Sequence, residues 1–118
     1  MVEPAEPRLG THSFNCRHQS SIVHCQVLRL ADSFFLWLAD SPSFQQLAVG
    51  MPRGPEAVSS LLLNQGVRGQ SDQLASRLAR RTGKQVFVSC NVNLEDAALR
   101  QALEARVVEE LKECPDKF

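Results

Sequence analysis

The chain has 118 residues, of which 43% are hydrophobic, and its thirteen basic and thirteen acidic side chains give a formal net charge of zero. This length suits one domain with a buried core, and the apolar fraction excludes wholesale disorder. Zero net charge argues against a general attraction to nucleic acid or to an anionic membrane, and no apolar run approaches the length of a membrane span.

The first residues and the cysteines indicate where the protein works. Residues 1–9 combine acidic residues with prolines where a secretory signal would have an apolar stretch. We therefore expect a flexible N-terminal tail ahead of a single domain over residues 10–118. The four cysteines are widely spaced and form no C-x-x-C motif, which favours free thiols over disulfides in a reducing compartment. Both observations predict a cytoplasmic or nuclear protein.

Five strands are predicted before the first helix. The first covers about 10–17, and the second runs over Ile22–Leu30, where apolar and polar residues alternate. The third is Phe34–Ala39, the fourth Phe44–Met51 and the fifth Ser59–Leu63, with polar or proline-containing segments between them. Short connections of this kind favour an antiparallel meander, because parallel strands need long crossovers.

Two helices and one more strand complete the predicted order. Ser71 is the predicted N-cap of a helix that stops at Gly83. A strand follows over Lys84–Val92, and Asn93 is the predicted cap of a second helix that Pro115 ends. The order βββββαβα predicts an α+β fold, a single antiparallel sheet of about six strands with two helices on one face.

The third strand is apolar on both of its faces. Side chains alternate along a strand, so Phe35 and Trp37 point away from the face that carries Phe34, and Phe87 repeats this pattern on the later strand. Two helices cover only one face, and a large apolar patch rarely stays exposed on a monomer. We therefore expect the protein to dimerise through the face of Phe35, Trp37 and Phe87. The alternative is that the loop of residues 52–70 covers this face.

The first predicted helix carries a group of cations, called the basic arc below. Helical spacing places four of them within about 100° of one another: Arg77, Arg80, Arg81 and Lys84. Three interpretations stay open, namely a solvated helix face, docking to an acidic protein surface, and nucleic-acid binding. The last has the least support, because no aromatic residue lies between the arginines.

No pattern of residues supports catalysis or a bound metal. Two cysteines and two histidines are candidate zinc ligands: Cys16, His18, His24 and Cys25. On a hairpin, however, His24 and Cys25 point to opposite faces, so the four side chains cannot converge. Nucleotide-binding glycine motifs and the G-x-S-x-G nucleophile motif are absent from the sequence. We therefore predict a non-enzymatic protein without cofactor or metal that binds other proteins; the alternative is a small basic-helix module that binds nucleic acid.

Four segments resemble one family of proteins. In chain order they are Leu28–Leu38, Leu47–Val49, Leu74–Asn91 and Glu109–Phe118. They are similar to the family of proteasome assembly chaperone 4, and the resemblance extends over residues 10–118. The sequence departs from the family pattern in residues 52–69, in the N-terminal tail and at Cys90.

The resemblance implies a fold of one antiparallel sheet with two helices that dimerises through the sheet. It also implies a heterodimer with proteasome assembly chaperone 3 that binds α-type subunits and promotes formation of the α-ring of the proteasome core. Phe35, Trp37 and Phe87 are then expected to contact the partner chaperone, and the basic arc to contact the proteasome subunits. No contact with nucleic acid or membrane is expected, and the isolated chain can be a monomer or a homodimer.

Overall fold

The computed structural model describes residues 9–66 and 70–118, which form six strands and two α-helices in the predicted order. The bounds are β1 Gly10–His18, β2 Ser21–Arg29, β3 Ser33–Ala39, β4 Gln46–Arg53, β5 Glu56–Asn64, α1 Ser71–Thr82, β6 Gln85–Cys90 and α2 Ala97–Glu113, followed by a 3₁₀ turn over Pro115–Lys117. Apart from Leu9, the predicted N-terminal tail lies outside the described residues. Neither α-helix in the described ranges combines the length and the apolar character that crossing a membrane requires.

The sheet is mixed, so the prediction of a purely antiparallel sheet is wrong. Its strand order is β1-β2-β3-β6-β4-β5. The pairs β1–β2, β2–β3 and β4–β5 are antiparallel hairpins, but β6 inserts between β3 and β4 and runs parallel to β3. β5 has the same direction as β6, since both are antiparallel to β4. α1 supplies the long connection that two strands of the same direction require.

Both helices pack on the same face of the sheet, as predicted. Gly50 of β4 faces α1, since a Cβ at this position would lie 2.3 Å from the backbone oxygen of Ala75. Cys16 of β1 faces α2, and its thiol donates to the backbone oxygen of Ala102 at 3.8 Å. The core lies between the sheet and the helices, and its largest fully buried side chains are Phe34, Leu36, Leu38, Leu78 and Leu103.

The helix ends differ from two of the predicted caps. Ser71 is the first residue of α1 rather than its N-cap, and its buried hydroxyl donates to Gln46 Oε1 at 2.6 Å. The local sequence could not reveal this partner, which belongs to β4. Asp96, not Asn93, caps α2 by accepting a backbone N–H of the first turn. Gly83 ends α1 as predicted, with φ of 68°, a left-handed conformation that glycine adopts without a Cβ penalty.

The segment that follows α2 folds back on the core. Phe118 is buried, and its ring meets the ring of Phe34 edge-on with centroids 5.4 Å apart. Lys84 Nζ donates to the backbone oxygen of Phe118 at 3.0 Å. Arg29 of β2 donates to the backbone oxygen of Asp116. These contacts attach the C-terminal segment to the sheet.

Candidate protein-interaction surfaces

An apolar row crosses the sheet face opposite the helices, called the open face below. Four side chains are direct cross-strand neighbours on β2, β3, β6 and β4: Leu28, Phe35, Phe87 and Val49. Leu28 is 38% exposed, and the other three are half-buried. Because neighbouring side chains in such a row interact, the four form one continuous apolar strip across the centre of the sheet. The predicted residues Phe35 and Phe87 are thus brought into direct register.

Residues 41–45 cover part of the open face. Phe44 stacks on Phe35 with ring centroids 6.3 Å apart and an interplanar angle of 11°. The indole N–H of Trp37 donates to the backbone oxygen of Ser43 at 2.9 Å. Phe44 nevertheless stays 47% exposed. It therefore adds an aromatic surface to the open face, which the sequence reasoning missed because it assigned Phe44 to a strand.

The segment proposed as an alternative cover is part of the sheet itself. Arg53 ends β4, and Glu56–Asn64 forms β5 at the edge of the sheet, where β6 and β4 separate it from β3. Residues 67–69 lie outside the described residues. Met51 and Val58 are opposite one another on these strands and are 46% and 42% exposed. They extend the apolar surface along the β4–β5 hairpin instead of covering it. Among the described residues, segment 41–45 covers the open face only in part.

A depression of about 580 Å³ lies beside the apolar row. Leu28, Phe35 and Trp37 line one side of it. The other side is lined by polar residues of β1 and β2, among them Thr11, Ser13 and Gln26. An apolar centre with a polar rim is the arrangement found in protein–protein interfaces.

The structure separates the four residues of the basic arc. Arg77 Nη1 forms an ion pair with Glu104 Oε2 of α2 at 2.9 Å. Lys84 follows the helix and bonds to the C-terminal segment. Arg80 and Arg81 are exposed, and within the described residues neither forms an ion pair or a side-chain hydrogen bond. These two arginines are therefore the part of the basic arc that remains available to a partner.

A buried carboxylate links β1 to α2. Glu110 accepts hydrogen bonds from His12 Nε2 at 2.8 Å and from Arg106 Nη1 at 2.6 Å. The bond from His12, with a further contribution from Arg106, lowers the pKa of Glu110 against the opposing effect of burial. Ligand atoms of His12, Glu110 and Cys114 lie within 4.8 Å of one another. The Arg106 guanidinium, however, bonds to the same carboxylate, and its positive charge lies where a metal ion would bind. The cluster therefore serves to link β1 to α2.

The zinc ligands considered from the sequence point in different directions. Cys25 is buried under the helices, whereas its neighbour His24 is exposed on the open face. This arrangement confirms the placement predicted from strand alternation. Burial raises the pKa of Cys25 to about 12, which disfavours the thiolate form that a metal requires.

Comparison with known proteins decides the family. The family described as proteasome assembly chaperone 4 matches residues 22–92, a range that includes the aromatic residues of the open face and all of α1. Proteasome assembly chaperone 4 of Homo sapiens is 39% identical over 120 residues, which cover 100% of this chain and 98% of the human protein. The chain belongs to this family.

A second protein of the family and one solved structure are also similar to this chain. Proteasome assembly chaperone 4 of Mus musculus is 39% identical over 116 residues, covering 97% of this chain and 94% of the mouse protein. A chain in the crystal structure of a novel chaperone complex for yeast 20S proteasome assembly has a TM-score of 0.59 and 19% identity, covering 93% of this chain and 94% of the yeast chain. That likeness shows a shared fold. Membership of the proteasome assembly chaperone 4 family confirms the prediction of a non-enzymatic protein, an assembly chaperone.

Proposed function

We propose that this chain, paired with a second small chaperone, binds α-type subunits of the proteasome and promotes formation of the α-ring of the proteasome core. Similarity to proteasome assembly chaperone 4 over the whole chain supports this role. The proposed partner is proteasome assembly chaperone 3, and the proposed place of action is the cytoplasm or the nucleus. The observation that carries the proposal is the apolar row on a sheet face that the helices do not cover.

The open face is the proposed contact for the partner chaperone. Phe35, Trp37 and Phe87 lie at its centre, with Leu28 and Phe44 beside them. Central aromatic residues surrounded by a polar rim supply most of the binding energy of many interfaces. A second sheet packed face to face at about 10 Å would bury the whole row.

Arg80 and Arg81 are the proposed contact for α-type subunits. They belong to α1, which lies on the face opposite the partner contact, so both partners can be bound at the same time. Exposed charges of this kind act mostly on the rate of association with an oppositely charged surface. Arg77 and Lys84 contribute less, because each already has an acceptor within the chain.

Affinity purification of the tagged chain from cells under mild conditions tests the proposed function. We expect α-type proteasome subunits and one second small chaperone to co-purify with it. Recovery of nucleic acid without any proteasome subunit would contradict the proposal and support the basic-helix module instead.

A further inference from the structure

A groove of about 420 Å³ separates α1 from α2 on the helix side of the sheet. Its lining residues are Arg77, Leu78, Arg80, Arg81, Glu104 and Val108. The ion pair between Arg77 and Glu104, at 2.9 Å, also borders a second, much smaller pocket. The ion pair therefore lies between the groove and this smaller pocket.

The charges that line the groove are unbalanced. Glu104 is the only carboxylate among its lining residues, and it is committed to Arg77. The guanidinium groups of Arg80 and Arg81 have no acceptor within the described part of the chain and lie at the rim. The groove consequently attracts carboxylates, since two positive charges remain uncompensated beside a low-dielectric wall.

The groove also has an apolar component. Leu78, with 2% of its surface exposed, and the half-buried Val108 lie on opposite walls. An aliphatic side chain inserted between them would be removed from water. A bare phosphate or a nucleic-acid strand matches this lining poorly, because no aromatic residue is present on which a base could stack.

We infer that the groove between α1 and α2 binds an acidic protein segment, which places one aliphatic side chain between Leu78 and Val108 and carboxylates against Arg80 and Arg81. This inference names the ligand chemistry of the proposed subunit contact and rests on that proposed function.

Titration of the isotopically labelled chain with the peptide acetyl-Glu-Asp-Leu-Asp-Glu-amide, followed by NMR chemical shifts, tests the inference. Saturable shifts should map to the groove, and Arg80→Glu with Arg81→Glu should weaken binding at least about tenfold. The control Arg17→Glu with Lys117→Glu makes the same change in net charge at exposed residues outside the groove and should leave binding within about twofold of wild type. Val108→Asp, or replacement of the peptide leucine by serine, should also abolish saturable binding.

Three outcomes overturn the inference: no saturable binding, binding indifferent to the Arg80 and Arg81 reversal, or a decathymidylate probe that displaces the peptide at lower concentration. If the chain captures α-type subunits but does not bind the peptide, the inference about the groove is wrong and the proposed function stands. If the chain binds the peptide in the groove but captures no proteasome subunit, the inference about the groove stands and the proposed function is wrong.

Discussion

Glu110 of α2 is one of the residues that attach this helix to β1. It is buried, and it accepts hydrogen bonds from His12 and Arg106. The substitution Glu110→Gln replaces the carboxylate by a neutral amide and so removes two charge-assisted hydrogen bonds. The free energy of unfolding should therefore fall by about 1–3 kcal/mol. Urea denaturation at pH 7 measures the change. Glu109→Gln, at an exposed neighbour, is the matched control and should change stability little.

The stabilisation by Glu110 should also depend on pH. Its pKa is lowered from the ordinary value of 4.5 in the folded state, so folding favours the ionised carboxylate. This contribution is complete above the unfolded-state pKa and is lost as the pH falls through the lower folded-state pKa. The stability difference between wild type and Glu110→Gln should therefore shrink below about pH 4.5. An undiminished difference at about pH 3 would contradict this reading of the cluster.

At the scale of elements, the close approach of α1 to β4 depends on Gly50. A Cβ there would lie 2.3 Å from the backbone oxygen of Ala75 and 2.6 Å from its carbonyl carbon. Gly50→Ala should force the helix away from the sheet and lower the free energy of unfolding by about 1–3 kcal/mol or more. Gly10→Ala in β1 is the control, since no atom lies within 4 Å of its added Cβ. Equal stability of the two variants in chemical denaturation would show that α1 is not seated as described.

The basic arc of α1 gives a kinetic prediction. Arg80→Glu with Arg81→Glu should slow the capture of α-type subunits, because exposed charges act mainly on association. The wild-type capture rate should fall as salt rises from about 0.05 to about 0.3 M, where screening shortens the reach of charges. Stopped-flow mixing measures both effects, with Arg17→Glu and Lys117→Glu as the charge-matched control. A capture rate that changes neither with salt nor with the charge reversal would show that these arginines are only solvated and do not contact the α-type subunits.

Elements with strong local periodicity could be predicted from the sequence, whereas their neighbours in the sheet could not. The alternation in β2 and β6, the short apolar run of β3 and the glycine stop at Gly83 are local signals, and they placed these elements correctly. The insertion of β6 between β3 and β4 depends on the crossover through α1, for which short connections gave no sign. Ser71 was mistaken for a cap because its acceptor, Gln46, is 25 residues away.

Over the whole molecule, the candidate sites show the same contrast between features that follow from local sequence and features that depend on contacts between distant residues. Strand alternation placed Phe35, Trp37 and Phe87 on one face, and parallel pairing of β3 with β6 sets two of them side by side. The stacking of Phe44 on Phe35 could not be predicted, because it depends on the path of a turn. Lys84 does not share the helix face of the three arginines, because Gly83 ends α1 before it; its Nζ bonds instead to the backbone oxygen of Phe118, 34 residues away.

The whole molecule has two opposite surfaces, and the central claim is that the open face binds the partner chaperone. The most direct test is sedimentation-velocity and affinity measurement with purified proteasome assembly chaperone 3, comparing wild type with Phe35→Glu and Trp37→Ala. Gln101→Glu is the control, because Gln101 is an exposed residue of α2 on the opposite side of the sheet. We expect the wild type and Gln101→Glu to form a heterodimer, and both aromatic variants to remain folded but bind at least about 30-fold more weakly, equivalent to about 2 kcal/mol. Folded Phe35→Glu and Trp37→Ala proteins that bind as tightly as wild type would contradict the claim.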